Sequence, residues 1–187
     1  MTATKSRSRD RTFLWSALLP CVLVAATAVF GLCVQGAPPP GTPPVPQSVG
    51  SWHAQETMPT SRHNPGVAGF RQGLHVVGGW SDRCESAHEV YDPRTDTWSV
   101  AAAVPTPRVD LGLVAAAGKL YAMGGWNSVP LTANEVYDPG SGSWATLAPL
   151  PVPVSGAAVA AIGILLFVIG GYDGIAETGV VQIYGLT

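Results

Sequence analysis

The chain repeats itself every 46 residues, and few folds tolerate so regular a period. A Gly-Gly pair followed by an aromatic residue stands at 78–80 as GGW, at 124–126 as GGW and at 170–172 as GGY, so that 124 − 78 and 170 − 124 both equal 46. Behind the first two pairs come EVYDP at 89–93 and 135–139, then Trp98 and Trp144; behind the third comes QIY at 182–184. Each unit has a Pro-rich lead-in: MPTSR at 58–62, VPTPR at 104–108 and LPVPV at 150–154. A period of roughly 20–50 residues marks a solenoid, a propeller or an array, and about 40–50 residues hold the four strands of one propeller blade.

The segments running up to each Gly-Gly, 65–77, 111–123 and 157–169, read as two short strands, a and b, around a turn. Arg71-Gln72-Gly73 and Ala117-Gly118-Lys119 supply hairpin turns, with glycine expected to take the positive φ. Gly163-Ile164-Leu165 has lost that polarity, so 156–171 becomes a continuous small and apolar run; the repeat register assigns it to strands rather than to a membrane helix. Strand c carries EVYDP, where alternation sends Val90 and Val136 to one face and Glu89, Tyr91, Glu135 and Tyr137 to the other. Asp-Pro then turns the chain into strand d, which is expected to end at Trp98 or Trp144. Repetition of Tyr91, Tyr137 and Tyr184 with Trp98 and Trp144 marks them as core between blades rather than a ligand platform. Gly78, Gly79, Gly124, Gly125, Gly170 and Gly171 read as close-packing positions; no helix follows them, so they are not phosphate loops.

This pattern resembles the kelch repeat: an apolar run, Gly-Gly, a gap, Tyr-Asp-Pro, a short gap and Trp, with MPTPR-like lead-ins between units. The resemblance covers residues 49–187 and implies an all-β fold, a kelch-type β-propeller segment of about three four-stranded blades. It implies no single activity. Kelch propellers are mostly protein-binding modules, and a minority are built into sugar oxidases and sialic-acid mutarotases.

Ahead of the repeats, Lys5, Arg7, Arg9 and Arg11 lie in a basic tail, 1–11, followed by the uncharged stretch 12–34. That stretch has the ~20 residues of a membrane-spanning helix, longer than the ~7–15-residue apolar core of a cleaved signal peptide. The basic flank keeps the tail in the cytoplasm and places the repeats outside. The expectation is therefore one N-terminal transmembrane signal anchor with extracytoplasmic repeats; cleavage before Ala37 is the alternative and would secrete them. Residues 35–48 form a linker whose centre, APPPGTPPVP at 37–46, should be an extended polyproline II stalk.

Of the 10 Lys plus Arg and 12 Asp plus Glu, the segment 35–187 keeps six and eleven, a net charge of −5. Its basic residues, Arg62, Arg71, Arg83, Arg94, Arg108 and Lys119, are scattered, which argues against nucleic acid as a partner. Cys21 and Cys33 lie in the apolar stretch and Cys84 alone in the repeats, so no disulfide framework is expected. The histidines are His53, His63, His75 and His88; beyond the weak Cys84-x-x-x-His88 there is no metal-ligand spacing, and neither a metal nor another cofactor is expected. No catalytic residue is assigned, although His63 with Asp82 or Glu85 could form an acid–base pair.

Antiparallel order within a blade brings the b–c and d–a loops out on one face. Loops on a rigid scaffold are the usual place for function. The b–c loops are 81–87, 127–132 and 173–178, and the d–a loops run through Arg62-His63 and 108–110. Binding candidates on this face are Arg62, His63, Asp82, Arg83, Glu85, Arg108, Asp110, Asn127, Asp173 and Glu177. The functional expectation is a binding module for a protein or glycan; the alternative is a fragment or relative of a sugar-acting kelch enzyme of the mutarotase or oxidase type. Ser51-Trp52 matches the end of a strand d and Gln182-Ile183-Tyr184 a strand c, so two copies could exchange strands into a six-bladed homodimeric ring. A fragment of a longer propeller is the plainer account.

Overall fold

A computed structural model describes residues 50–186. The expected tail, membrane segment and linker, 1–48, lie outside those residues. Among the described residues no helix is long and apolar enough to cross a membrane.

Three antiparallel sheets follow one another along the chain. The first runs β1 (Gly66–Phe70), β2 (Gly73–Val77), β3 (His88–Asp92) and β4 (Thr97–Val100), each strand paired with the next. The second has β5 (Gly112–Ala116), β6 (Lys119–Met123), β9 (Asn134–Asp138) and β10 (Ser143–Thr146), in the order β10-β9-β6-β5, while β7 (Trp126–Asn127) and β8 (Val129–Pro130), in the loop between β6 and β9, pair as a small hairpin of their own. The third is β11 (Ala158–Ile162), β12 (Leu165–Ile169) and β13 (Val181–Gly185). The apolar run 156–171 is thus largely a hairpin. Blades of four strands were expected, with the third unit running only to strand c at Gln182-Ile183-Tyr184, and β13 has no fourth strand beside it among the described residues.

Register shows where the repeat slips. Leu74 faces Tyr91, Leu120 faces Tyr137 and Leu166 faces Tyr184. The period of 46 holds through strands a and b, but the third b–c loop is one residue longer, which moves strand c by one. Two local expectations also change. Trp98 and Trp144 are the second residues of β4 and β10 rather than their last, because they pair with Tyr91 and Tyr137 directly across the c–d turn. In the first a–b turn the left-handed residue is Arg71, at φ 54°, with Gly73 already opening β2; the second turn puts both Ala117 and Gly118 at positive φ.

Strands a are innermost: β5 packs against β1 on one side and β11 on the other. Between the first two blades Val77, Leu111, Leu113, Leu120 and Tyr137 form one core, and between the second and third Tyr121, Met123, Val136, Val154, Leu166 and Val168 form another. The middle blade is covered on both faces. The Gly-Gly pairs make this stacking close: a Cβ on Gly78 would lie 2.5 Å from the Arg108 carbonyl oxygen, and one on Gly124 2.6 Å from that of Val154. Both glycines of each pair also have positive φ.

The first two lead-ins each send an arginine inward. Arg62 Nη1 reaches Glu89 Oε2 at 2.5 Å and also donates to the Thr60 carbonyl, while Nη2 donates to that of Val76. Forty-six residues on, Arg108 repeats every contact with Glu135, Thr106 and Ala122. Both guanidinium groups are fully buried, and burial draws the Arg108 pKa below its ordinary value despite Glu135. In the third unit Val154 replaces the arginine and Gln182 the glutamate; Gln182 exchanges hydrogen bonds with the backbone of Val152 instead. Both charges are absent together. Removing one member of a buried pair costs about 3–5 kcal/mol, whereas replacing both can be nearly neutral. Arg108→Val should therefore destabilise the protein by about that amount, and Arg108→Val with Glu135→Gln should recover most of it in urea titrations. A double variant no better than the single would show that the ion pair itself holds the units together.

Candidate functional site

The b–c and d–a loops share a face, and the backbone explains how. After each Gly-Gly the aromatic residue forms an antiparallel bridge to the d–a loop: Trp80 with His63, Trp126 with Val109, Tyr172 with Ser155. Each bridge is a reciprocal pair of hydrogen bonds of 2.7–3.0 Å. The d–a corners are also tied to one another, since Asp110 N donates to the Asn64 carbonyl and Gly156 N to that of Asp110. Asn64 and Asp110 both adopt left-handed φ, and Asn64 Nδ2 donates to Asp110 Oδ1 at 2.7 Å.

On this frame the aromatic rings remain half open. Trp80 is 38% and Tyr172 37% exposed, and the Trp126 and Tyr172 rings are 6.3 Å apart. Around them stand several of the expected candidates. His63, Asp82, Arg83, Asn127 and Glu177 are exposed, and Asp110 and Asp173 half-exposed. Ser81 Oγ lies 2.9 Å from Asp82 Oδ1 and 2.6 Å from Glu85 Oε1, so both carboxylates turn to Ser81 rather than to His63. That hydroxyl, first, holds the Asp82 carboxyl below its usual pKa. Asp173 is depressed by the backbone N–H groups of Ala176 and Ile175, which its Oδ1 accepts. Asn127 Nδ2 donates to the Pro107 carbonyl. Glu85 is mostly covered, with Arg83 Nε 3.7 Å away.

Two candidates lie elsewhere. Arg62 and Arg108 are withdrawn into the ion pairs with Glu89 and Glu135, leaving Arg83 as the exposed cation of the b–c loops among the described residues. The rim is consequently acidic. What the candidate set omits is Trp80, Trp126 and Tyr172, although an aromatic at the same offset behind every Gly-Gly was visible in the repeat.

Cys84 and His88 part company. The Cys84 thiol donates to the Trp126 carbonyl at 3.5 Å, and burial raises its pKa. His88 is fully buried under the Tyr137 and Trp144 rings of the next blade. Its Nδ1 lies 3.2 Å from the Ala102 carbonyl and its Nε2 2.9 Å from His75 Nδ1. A carbonyl only accepts, so His88 carries its proton on Nδ1 and its Nε2 accepts from His75. Among the described residues no three or more His, Cys, Asp or Glu side chains converge as a metal-binding group.

Residues 61–105 and 107–151 each match the family model described as the Kelch motif. These are kelch repeats. The kelch match ends where the third unit begins, yet that unit continues the same strand order a, b, c in β11, β12 and β13. No curated protein matches the chain. Kelch repeats point to a protein-interaction module of the β-propeller type.

The buried histidine pair gives the first kelch repeat a pH response. Burial, then the neighbouring His75, lowers His88 from 6.5 to about 4, and burial lowers His75 as well. A histidine with a depressed folded pKa binds protons more readily when unfolded, so its stabilising contribution is complete above pH ~6.5. It is lost as the pH falls toward about 4, to an extent on the order of 3 kcal/mol. Asn134 fills the His88 position in the second repeat and donates to the Ala148 carbonyl. His88→Asn should flatten the loss of thermal stability between pH 6.5 and 4; an unchanged slope would assign the acid response to other groups.

Proposed function

We propose that this kelch module recognises a protein or glycan ligand through the face carrying its b–c and d–a loops. The observation that carries the reading is the row of half-exposed rings, Trp80, Trp126 and Tyr172, each pinned by paired backbone hydrogen bonds. Rings held on a rigid frame lose little entropy on binding and offer both apolar area and a π-face. The acidic rim of Asp82, Asp110, Asp173 and Glu177 favours ligands with positive or hydroxyl-rich surfaces. In this reading residues 12–34 anchor the module with its repeats outside the membrane, the stretch at 35–48 lifts it off the surface, and two copies join into one ring.

Displaying the full chain on cells tests the site and its topology together. Protease added outside should remove the repeats while an N-terminal tag survives. Among probes from peptide and glycan arrays, Trp80→Ala, Trp126→Ala and Asp173→Ala should lose binding with melting changed by no more than about ±0.5–1 kcal/mol. Trp144→Ala, which removes a ring packed on Tyr137 and an indole N–H donated to the Ala102 carbonyl, should cost about 3–5 kcal/mol of stability. If the exposed-ring variants bind normally, the loop face is not the site.

A further inference from the structure

The cleft between the second and third blades has the form of a tryptophan site. Its walls include Asn134, Ala148, Leu150, Val168, Gln182 and Tyr184. In the preceding interface the same place is filled: Trp144 lies on Tyr137, against His88, and its indole N–H donates to the Ala102 carbonyl at 2.8 Å. One unit further along, Tyr184 stands for Tyr137, Asn134 for His88 and Ala148 for Ala102. The acceptors are ready. Asn134 is almost wholly buried, and among the described residues its Oδ1 has no hydrogen-bond partner and the Ala148 carbonyl accepts one side-chain bond, from Asn134 Nδ2, where Ala102 accepts two. The edge beside the cleft is β13, whose Val181 and Ile183 are exposed.

A matching tryptophan stands at the other end of the repeats. Trp52 lies 46 residues before Trp98 and is fully exposed. Behind it the chain is already set as a d–a connector: Trp98 Nε1 donates to the Glu56 carbonyl just as Trp144 Nε1 does to Ala102, and Thr60 reaches Glu89 as Thr106 reaches Glu135. Residues 52–54 therefore stand at the position of a strand d and belong to no sheet among the described residues.

We infer that Trp52 of a second copy of this chain docks in the cleft at Asn134, Ala148 and Tyr184, with residues 51–54 pairing as a fourth strand on β13. The inference rests on the two-copy reading above and names its contacts. Register follows from Trp98 facing Tyr91 and Trp144 facing Tyr137: Trp52 faces Tyr184, Ser51 faces Gly185 and Ala54 faces Gln182. The indole N–H is donated to Ala148 or Asn134, satisfying a buried acceptor that otherwise costs stability. With Trp52 of each copy in the cleft of the other, the exchange is reciprocal and closes as a twofold pair.

The full chain in lipid nanodiscs carries the test. Copies with two different tags, one Ser51→Cys and the other Gly185→Cys, should form a disulfide between tags on mild oxidation, because directly opposed residues on paired strands bring their Cβ atoms within about 4.5–5.5 Å. Trp52→Ala should abolish that cross-link and raise the dissociation constant of the pair on the order of 100-fold, without changing the melting of the single copy, in which Trp52 is exposed. A pair that persists without the cross-link, or is indifferent to Trp52→Ala, overturns the docking while sparing the two-copy reading. A single copy at every concentration, or an irregular aggregate, overturns both.

Discussion

Everything in this chain depends on how closely one unit can approach the next. At the end of each strand b the backbone passes against the lead-in of the following unit, where Gly79 N donates to the Arg108 carbonyl and Gly125 N to that of Val154. Side chains are excluded at this contact, since Cβ atoms at Gly78 and Gly124 would fall within 2.6 Å of those same carbonyls. Glycine there supplies both the space and the left-handed turn. Once the contact is made, strands a meet around β5, the apolar clusters between blades close, and Arg62 and Arg108 are carried into the interior beside Glu89 and Glu135. The exposed rings of the loop face are held by the same device, because Trp80, Trp126 and Tyr172 directly follow the glycines that set the approach.

Much of this was legible before any coordinates. The 46-residue spacing located the first three strands of each unit, and Tyr-Asp-Pro with Trp marked the c–d turn, because those residues repeat for reasons of packing. The buried ion pairs were not read, although their trace is in the chain: Arg62 and Arg108 precede Glu89 and Glu135 by the same interval, and Val154 and Gln182 replace both partners together. Seen residue by residue, an arginine in a loop looks solvated; only its correlated loss with a glutamate in the next unit says otherwise. Trp80, Trp126 and Tyr172 escaped for the opposite reason. The aromatic behind each Gly-Gly served only as a landmark of the period; these rings repeat because the glycines before them do, and they remain half exposed.

The units are alike in backbone and differ in what their interfaces hold. Between the first and second blades a neutral histidine pair lies under Tyr137 and Trp144, which ties that contact to the protonation of His88. Between the second and third an asparagine takes the place of His88, and its Oδ1 has no partner among the described residues. A closed polar pair and an open polar pocket thus occupy equivalent positions. The first suits a permanent seam, and the second suits a seam that is completed by another strand.

Native-state hydrogen exchange on the full chain, comparing Gly124→Ala with Gly118→Ala, tests the dependence on close approach most directly. Both glycines have positive φ, but a Cβ meets the Val154 carbonyl at Gly124 and open space at Gly118, so backbone strain of about 1–2 kcal/mol is common to both and the clash is not. The account predicts that Gly118→Ala slows or speeds exchange slightly and evenly, whereas Gly124→Ala strips protection from β11, β12 and β13 while β1 to β4 keep theirs. Equal, uniform losses in the two variants would contradict it.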